Sequence, residues 1–79
     1  MKVRVLFFAG LRELVGKNQM GVEIQEGAPV SLLLEKLQKG FPGIITNPVM
    51  LAVNTEYVKP DHRLKEGDEV AVIPPVSGG

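Results

Sequence analysis

Polar and apolar side chains alternate over residues 2–8, which is the pattern of a half-buried β-strand. Val3 and Val5 lie on one face of this predicted strand, and Leu6 and Phe8 lie on the other. Both faces therefore carry apolar residues. We expect one face to pack into a core and the other to remain open.

Four further short segments have strand character and are bounded by turn residues. They cover residues 20–25, 50–54, 57–59 and 69–73. Each is rich in β-branched or other apolar residues, and none is long enough to form a sheet with one neighbour alone. The sequence therefore predicts about five short strands in one sheet.

The region around residues 30–40 is the only substantial helix that the pattern predicts. Its apolar residues follow the 3.6-residue period of an amphipathic helix. They are Val30, Leu33, Leu34, Leu37 and Phe41. Pro29 suits the start of this helix, and Gly40 suits its end. A short helical turn or loop element is predicted at residues 11–15.

This order of elements favours an α+β fold of the β-grasp (ubiquitin-like) class. In that arrangement a mixed sheet of about five strands is crossed by one main helix, and the first and last strands are central neighbours. Phe7 would then meet Val70 and Val72 beneath the helix. We expect residues 1–74 to form the domain and residues 75–79 to form a flexible C-terminal tail.

Composition restricts the possible functions. The 79 residues suit a single small domain. The absence of cysteine excludes disulfides, thiolate metal sites and a cysteine nucleophile, and it agrees with a reducing cytoplasm. Nine basic and nine acidic residues are scattered, so we expect no nucleic-acid or membrane binding. We also expect no bound metal.

The C-terminal residues are the strongest indication of chemistry. The predicted last strand is followed by Pro74 and Pro75, then Val76 and Ser77, and the sequence ends in a glycine pair. Prolines reduce the entropy that a tail loses on ordering, and glycine passes where a side chain would be blocked. The sequence therefore predicts that Gly78 threads a narrow channel and that the Gly79 carboxylate is the reactive group.

Motifs along nearly the whole chain resemble the small, sulfur-carrier subunit of molybdopterin synthase, a family of ubiquitin-like sulfur carriers. In chain order they are Val5-Leu6-Phe7-Phe8-Ala9, Arg12-Glu13-Leu14-Val15-Gly16, Leu51-Ala52-Val53-Asn54, Asp61-His62 with Leu64, Gly67-Asp68-Glu69-Val70-Ala71 and Pro74-Pro75-Val76-Ser77-Gly78-Gly79. The ending, together with the Arg-Glu-Leu element, is the most specific part of the resemblance.

The resemblance implies a carrier whose own body holds no catalytic side chain. An E1-like adenylyltransferase would adenylate Gly79 with ATP, and a sulfur donor protein would convert the adenylate to a thiocarboxylate. The large synthase subunit would then use this sulfur to turn cyclic pyranopterin monophosphate into molybdopterin. Family members form a heterotetramer of two small and two large subunits. No cofactor is expected to bind the chain stably, because ATP is used by the partner.

Strand alternation also predicts where a partner would dock. If the valines of the first and last strands face the helix, Leu6, Phe8 and Ile73 lie on the opposite face, and Tyr57 can join them. An uncovered apolar patch with aromatic residues is typical of an interaction surface. We expect these four residues to form the centre of the contact with the large subunit.

Other functions remain open at the level of the sequence. The chain could carry sulfur for another pathway, could be a modifier joined to lysines through Gly79, or could be a β-grasp binding module with an inert terminus. His62, the sole histidine, is interpreted as a loop or capping residue. The spacing of glycines does not fit a phosphate-binding loop, so ATP is expected to bind the partner.

Overall fold

The computed structural model describes residues 1–8, 10–43 and 50–73. Within these ranges five strands and two helices follow one another. In chain order they are β1 (Lys2–Phe7), α1 (Gly10–Val15), β2 (Gln19–Glu23), α2 (Val30–Gly40), β3 (Met50–Val53), β4 (Glu56–Tyr57) and β5 (Glu69–Ile73).

The five strands form one mixed sheet in the order β2-β1-β5-β3-β4. β1 and β5 pair in parallel at its centre, with Val5 opposite Val70. The pairs β1–β2, β3–β5 and β3–β4 are antiparallel. The central pairing of the first strand with β5 confirms the predicted β-grasp arrangement.

Four of the five strands differ from the prediction by one or two residues at an end, and β3 ends at Val53 rather than at residue 54. β1 ends at Phe7 rather than Phe8, and β2 covers Gln19–Glu23 rather than residues 20–25. β4 covers Glu56–Tyr57 rather than residues 57–59. The last difference arises because Asn54 and Thr55 form the whole of a tight turn, so pairing resumes at once with Glu56.

The core lies between α2 and one face of the sheet. α2 buries Val30, Leu33 and Leu37, which cluster with alternate residues of the strands. The strand residues of that cluster are Val3, Val5, Phe7, Val22, Leu51, Val53, Val70 and Val72. Burying each such side chain contributes about 1.5–3 kcal/mol relative to leaving it exposed. The predicted contact of both terminal strands beneath the helix is therefore confirmed.

The start of α2 is completed by backbone groups from a distant loop. Pro29 precedes the helix and supplies no side-chain cap. The Val30 amide donates to the His62 carbonyl at 2.8 Å, and the Ser31 amide donates to the Pro60 carbonyl at 2.9 Å. These bonds satisfy amides that a helix leaves free at its N-terminus. His62 thus caps the helix through its backbone, in agreement with the prediction.

Across residues 1–8, 10–43 and 50–73, neither helix is long and apolar enough to cross a membrane.

Candidate functional site

The sheet face opposite α2 carries a row of apolar residues from four adjacent strands. Leu6 of β1 pairs with Ala71 of β5, Ala71 pairs with Ala52 of β3, and Ala52 pairs with Tyr57 of β4. Directly paired residues project from the same face. The row therefore runs straight across the strands, and it ends at Tyr57, which is 70% exposed.

A second apolar row lies next to the first, nearer the end of β5. Ile73 pairs with Met50, which is 48% exposed. Phe8 follows β1 directly, two residues beyond Leu6, and is 43% exposed. We call the seven residues of the two rows the open face. They are Leu6, Phe8, Met50, Ala52, Tyr57, Ala71 and Ile73.

All four predicted docking residues lie on the open face, although their contact with a partner remains a prediction. Leu6 and Ile73 are half-buried, and Phe8 and Tyr57 are exposed. Met50 and Ala52 were missed. Their strand is a continuous apolar run, so a contrast between polar and apolar residues does not reveal its two faces. The alternation of side chains does reveal them once Leu51 and Val53 are assigned to the core, because Met50 and Ala52 then lie on the opposite face.

Ala52 shows how the open face differs from the core. It is only 6% exposed, yet it does not belong to the core cluster that contains its neighbours Leu51 and Val53. Its pairing with Ala71 and Tyr57 places it on the open face instead.

The predicted reactive tail lies outside the described residues. Ile73 is the last described residue, and it lies at the apolar end of the open face. The predictions for Pro74, Pro75, Val76, Ser77, Gly78 and Gly79 therefore stay predictions. The same holds for the division of the chain into residues 1–74 and 75–79.

The other end of the same sheet face is charged. Arg4 and Glu69 are paired across β1 and β5, and an Arg4 Nη to Glu69 Oε distance of 3.4 Å joins them as an exposed ion pair. The Lys2 amide donates to the Glu66 carboxylate at 3.2 Å. A depression of about 540 Å³ lies here, lined by both signs of charge. Because these charges offset one another, this region does not favour an anion or a cation.

Among residues 1–8, 10–43 and 50–73, no group of three or more His, Asp or Glu side chains could hold a metal ion. His62 is exposed in the loop before β5.

Comparison with known proteins identifies the family. The fold places the chain among the ubiquitin-like β-grasp proteins. A model of the ThiS family matches residues 5–79, and the chain belongs to this family. It is 41% identical to the molybdopterin synthase sulfur carrier subunit of Chlamydomonas reinhardtii, over 100% of both chains.

Solved structures agree with this fold. The putative molybdopterin converting factor subunit 1 of Pyrococcus furiosus is 37% identical, with a TM-score of 0.88 over 96% of this chain and 99% of that one. SAMP1 of Haloferax volcanii is 26% identical, with a TM-score of 0.88 over 100% of both chains. A chain in the complex of subunits 1 and 2 of molybdopterin-converting factor from Helicobacter pylori is 23% identical, with a TM-score of 0.73 over 100% of both. At 23% identity, this similarity shows only that the two chains share a fold.

Proposed function

We propose that this chain is the sulfur carrier subunit of a molybdopterin synthase. The observation that carries the proposal is full-length similarity to proteins of that name, 41% identity over 100% of both chains, together with a family match that extends to residue 79. The open face on a β-grasp domain supports it, because a carrier needs a surface that partners can recognise. The same domain need not contain catalytic side chains.

The proposed chemistry takes place on Gly79. Its carboxylate is ionised at neutral pH, and one oxygen attacks the α-phosphorus of ATP, which releases pyrophosphate and forms an acyl-adenylate. Sulfur delivered by a donor protein as hydrosulfide then attacks the acyl carbon and displaces AMP, and the product is a thiocarboxylate. The chain has no cysteine, so the reactive sulfur is introduced only at this terminus. An E1-like partner binds the ATP, and the carrier itself retains no cofactor.

The proposed partner in sulfur transfer is a large synthase subunit that binds the open face and accepts the tail. Fully extended, six residues reach at most about 20 Å, so residues 74–79 could enter a buried site while the domain stays outside. In that site the thiocarboxylate would supply sulfur to cyclic pyranopterin monophosphate. We further propose a heterotetramer of two small and two large subunits, which the mass of the purified complex would test.

The first experiment measures the intact mass of the chain after incubation with its activating enzyme, ATP and a sulfur source. We expect the mass gain for replacement of one oxygen by sulfur. The same chain lacking Gly79 is the matched control and should show no gain. An unchanged mass for the full chain, under conditions that thiocarboxylate a known carrier, would contradict the proposal.

Substitution of Gly78 tests whether the tail passes through a narrow channel. We expect Gly78→Val to fold normally but to fail in activation or sulfur transfer, because the added side chain clashes with the channel walls. Ser77→Ala, which removes only a hydroxyl one residue earlier, is the control and should retain transfer. Full activity of Gly78→Val would argue against a narrow channel.

A second candidate function is that of a protein modifier. The likeness to SAMP1 of Haloferax volcanii, a small archaeal modifier protein, favours keeping it, since that chain has the same fold over its full length. An acyl-adenylate at Gly79 could be attacked by a lysine amine as well as by sulfur. Mass spectrometry of cell proteins for Gly79–lysine isopeptides distinguishes the two functions. Such adducts on many proteins would favour the modifier, and thiocarboxylate without adducts would favour the carrier.

A further inference from the structure

The hairpin of β3 and β4 carries the most exposed residue of the open face but has little pairing of its own. β4 is only two residues long, and its ladder consists of Ala52 opposite Tyr57 and Val53 opposite Glu56. One more backbone bond follows, from the Val58 amide to the Leu51 carbonyl at 3.0 Å. A strand this short at a sheet edge is held weakly by its ladder alone.

The turn of this hairpin is also unfavourable in its backbone. Asn54 has φ of 51° and Thr55 has φ of 72°. Positive φ at both central residues is the geometry of a type I′ hairpin turn. Asparagine tolerates it, but a β-branched threonine does so rarely. Such a conformation persists only where surrounding contacts determine it, so contacts outside the turn must stabilise it.

The contacts that hold the turn come from Asn54 and Asp68. The Asn54 side-chain amide donates to Asp68 Oδ1 at 2.9 Å, and Asn54 Oδ1 accepts from the Glu69 amide at 3.1 Å. The Asn54 amide donates to the Glu69 carbonyl at 2.8 Å. Among the described residues, Asn54 makes every side-chain hydrogen bond that joins this hairpin to Asp68 and to β5. We call the Asn54–Asp68 pair and these bonds the clasp.

Asp68 is itself fixed from two other sides. Its side chain is nine-tenths buried, and Oδ2 accepts from the Lys65 amide at 2.8 Å. Its carbonyl accepts from the Arg4 amide of β1 at 2.9 Å. Gly67 precedes it with φ of 82°, which closes the turn that brings Lys65 into place. Asp68 therefore ties the hairpin turn to the centre of the sheet.

We infer that Asn54 and Asp68 are positioning residues that hold the β3–β4 hairpin so that Tyr57 lies in register on the open face for a partner. Neither residue needs to touch the partner. The inference rests on the proposed function only in naming the large subunit as that partner. The clasp acts on Tyr57 through one short strand, because Tyr57 is two residues from Thr55 along β4.

Exchange of the two clasp residues provides a specific test. In Asn54→Asp two carboxylates face each other. In Asp68→Asn the new NH2 group faces either the Asn54 side-chain NH2 or the Lys65 amide, so one of these two donors loses its acceptor. The double variant Asn54→Asp/Asp68→Asn restores every bond: the new amide donates to residue 54, the Lys65 and Glu69 amides keep acceptors, and the net charge is unchanged. Rescue by the exchange separates the clasp from a general effect of either substitution.

The first readout is hydrogen exchange of the isolated chain, which requires no partner. We expect the Val58 amide to exchange about tenfold faster or more in Asn54→Asp, because the hairpin opens locally. The exchange rates of amides within α2 should not change. In the double variant Asn54→Asp/Asp68→Asn, the Val58 amide should return to its original exchange rate. Equal acceleration in α2 and at Val58 would overturn the inference, since it would indicate global destabilisation.

The second readout is the Kd for the large subunit, measured by calorimetry with and without Tyr57→Ala. We expect Asn54→Asp to weaken binding about tenfold when Tyr57 is present and by less than about twofold in the Tyr57→Ala background. Equal losses in both backgrounds would overturn the inference. Should Asn54→Asp fail to fold, Asn54→Gly keeps the positive φ, removes the two side-chain bonds of the clasp and tests the same coupling.

The two proposals fail in different ways. If the original chain does not bind the large subunit, the proposed function is wrong, and the hydrogen-exchange arm still decides whether the clasp holds the hairpin. If the original chain binds and the hydrogen-exchange rate of the Val58 amide is the same in the clasp variants, the clasp inference is wrong and the proposed function stands.

Discussion

The two faces of the sheet are made from the same strands but differ in what covers them. Val5 and Val70 pair on the face beneath α2 and are fully buried. One residue further along, Leu6 and Ala71 pair on the open face and remain half-buried. Because side chains alternate along a strand, one short sequence builds both a core and an open apolar face. Stability and recognition can therefore be changed separately, one residue apart.

The largest effect on stability should come from the covered face. Leu33→Ala should lower the free energy of unfolding by about 2–5 kcal/mol, because it leaves a cavity at a fully buried position of α2. A domain of this size typically has about 3–5 kcal/mol in total. Urea denaturation measures the loss. Leu32→Ala, on the exposed side of the same helix, is the matched control and should change little.

The next largest effect should be on binding and should come from the open face. Phe8→Asp should weaken binding to the large subunit by about 2 kcal/mol or more, because it places a charge in an apolar contact. Its free energy of unfolding should change by less than about 0.5 kcal/mol, since Phe8 lies outside the core. Calorimetry and urea denaturation measure the two quantities.

Leu32→Asp is the control for the Phe8 variant. It introduces the same charge at an exposed apolar position of α2, on the other side of the sheet. We expect it to bind normally. Equal weakening by both variants would mean that charge anywhere on the domain disturbs binding, and an unchanged Kd for Phe8→Asp would remove the open face from the contact.

A smaller effect is expected at Met50, which tests how far the contact extends. Met50→Ala should weaken binding by about 0.5–1.5 kcal/mol, a loss typical of an apolar side chain beside the main anchors of an interface. The free energy of unfolding should hardly change, because Met50 is half exposed. Titration of the large subunit gives the Kd, and no change would confine the contact to Phe8, Tyr57 and their immediate neighbours.

The smallest effect on stability and binding should come from a substitution at the charged end of the sheet face that carries the open face. Arg4→Ala removes an exposed ion pair with Glu69, and such pairs contribute about 0–1 kcal/mol. We expect little change in either the free energy of unfolding or the Kd in physiological salt. A loss of binding comparable to that of Phe8→Asp would show that the interface continues onto the charged end.

Much of this architecture could be predicted because strand alternation and helical spacing are patterns among residues that are close in sequence. The alternation of Val3 and Val5 with Leu6, and the helical spacing of Leu33 and Leu37, report directly on which side is buried. The resemblance to a family added the expected chemistry of Gly79. That residue lies outside the described ranges, so its role remains a proposal.

The clasp could not be predicted in the same way. Asn54 and Asp68 are 14 residues apart, and each looks like an ordinary turn residue on its own. Their contact exists only because β3 and β5 become neighbours in the sheet. Propensity describes a residue in its local segment, whereas a buried hydrogen bond between segments depends on the completed fold.

The parallel pairing of β1 with β5 also has a consequence for how the chain folds. Arg4 and Glu69 are 65 residues apart, and closing a loop of that length costs about 4 kcal/mol of chain entropy before a length-independent constant is added. The central ladder of the sheet is thus its most non-local contact, which favours slow folding. During synthesis, β1 can pair with β2 on one edge, but its other edge stays unpaired until β5 has emerged, and chaperones or aggregation could capture that exposed edge.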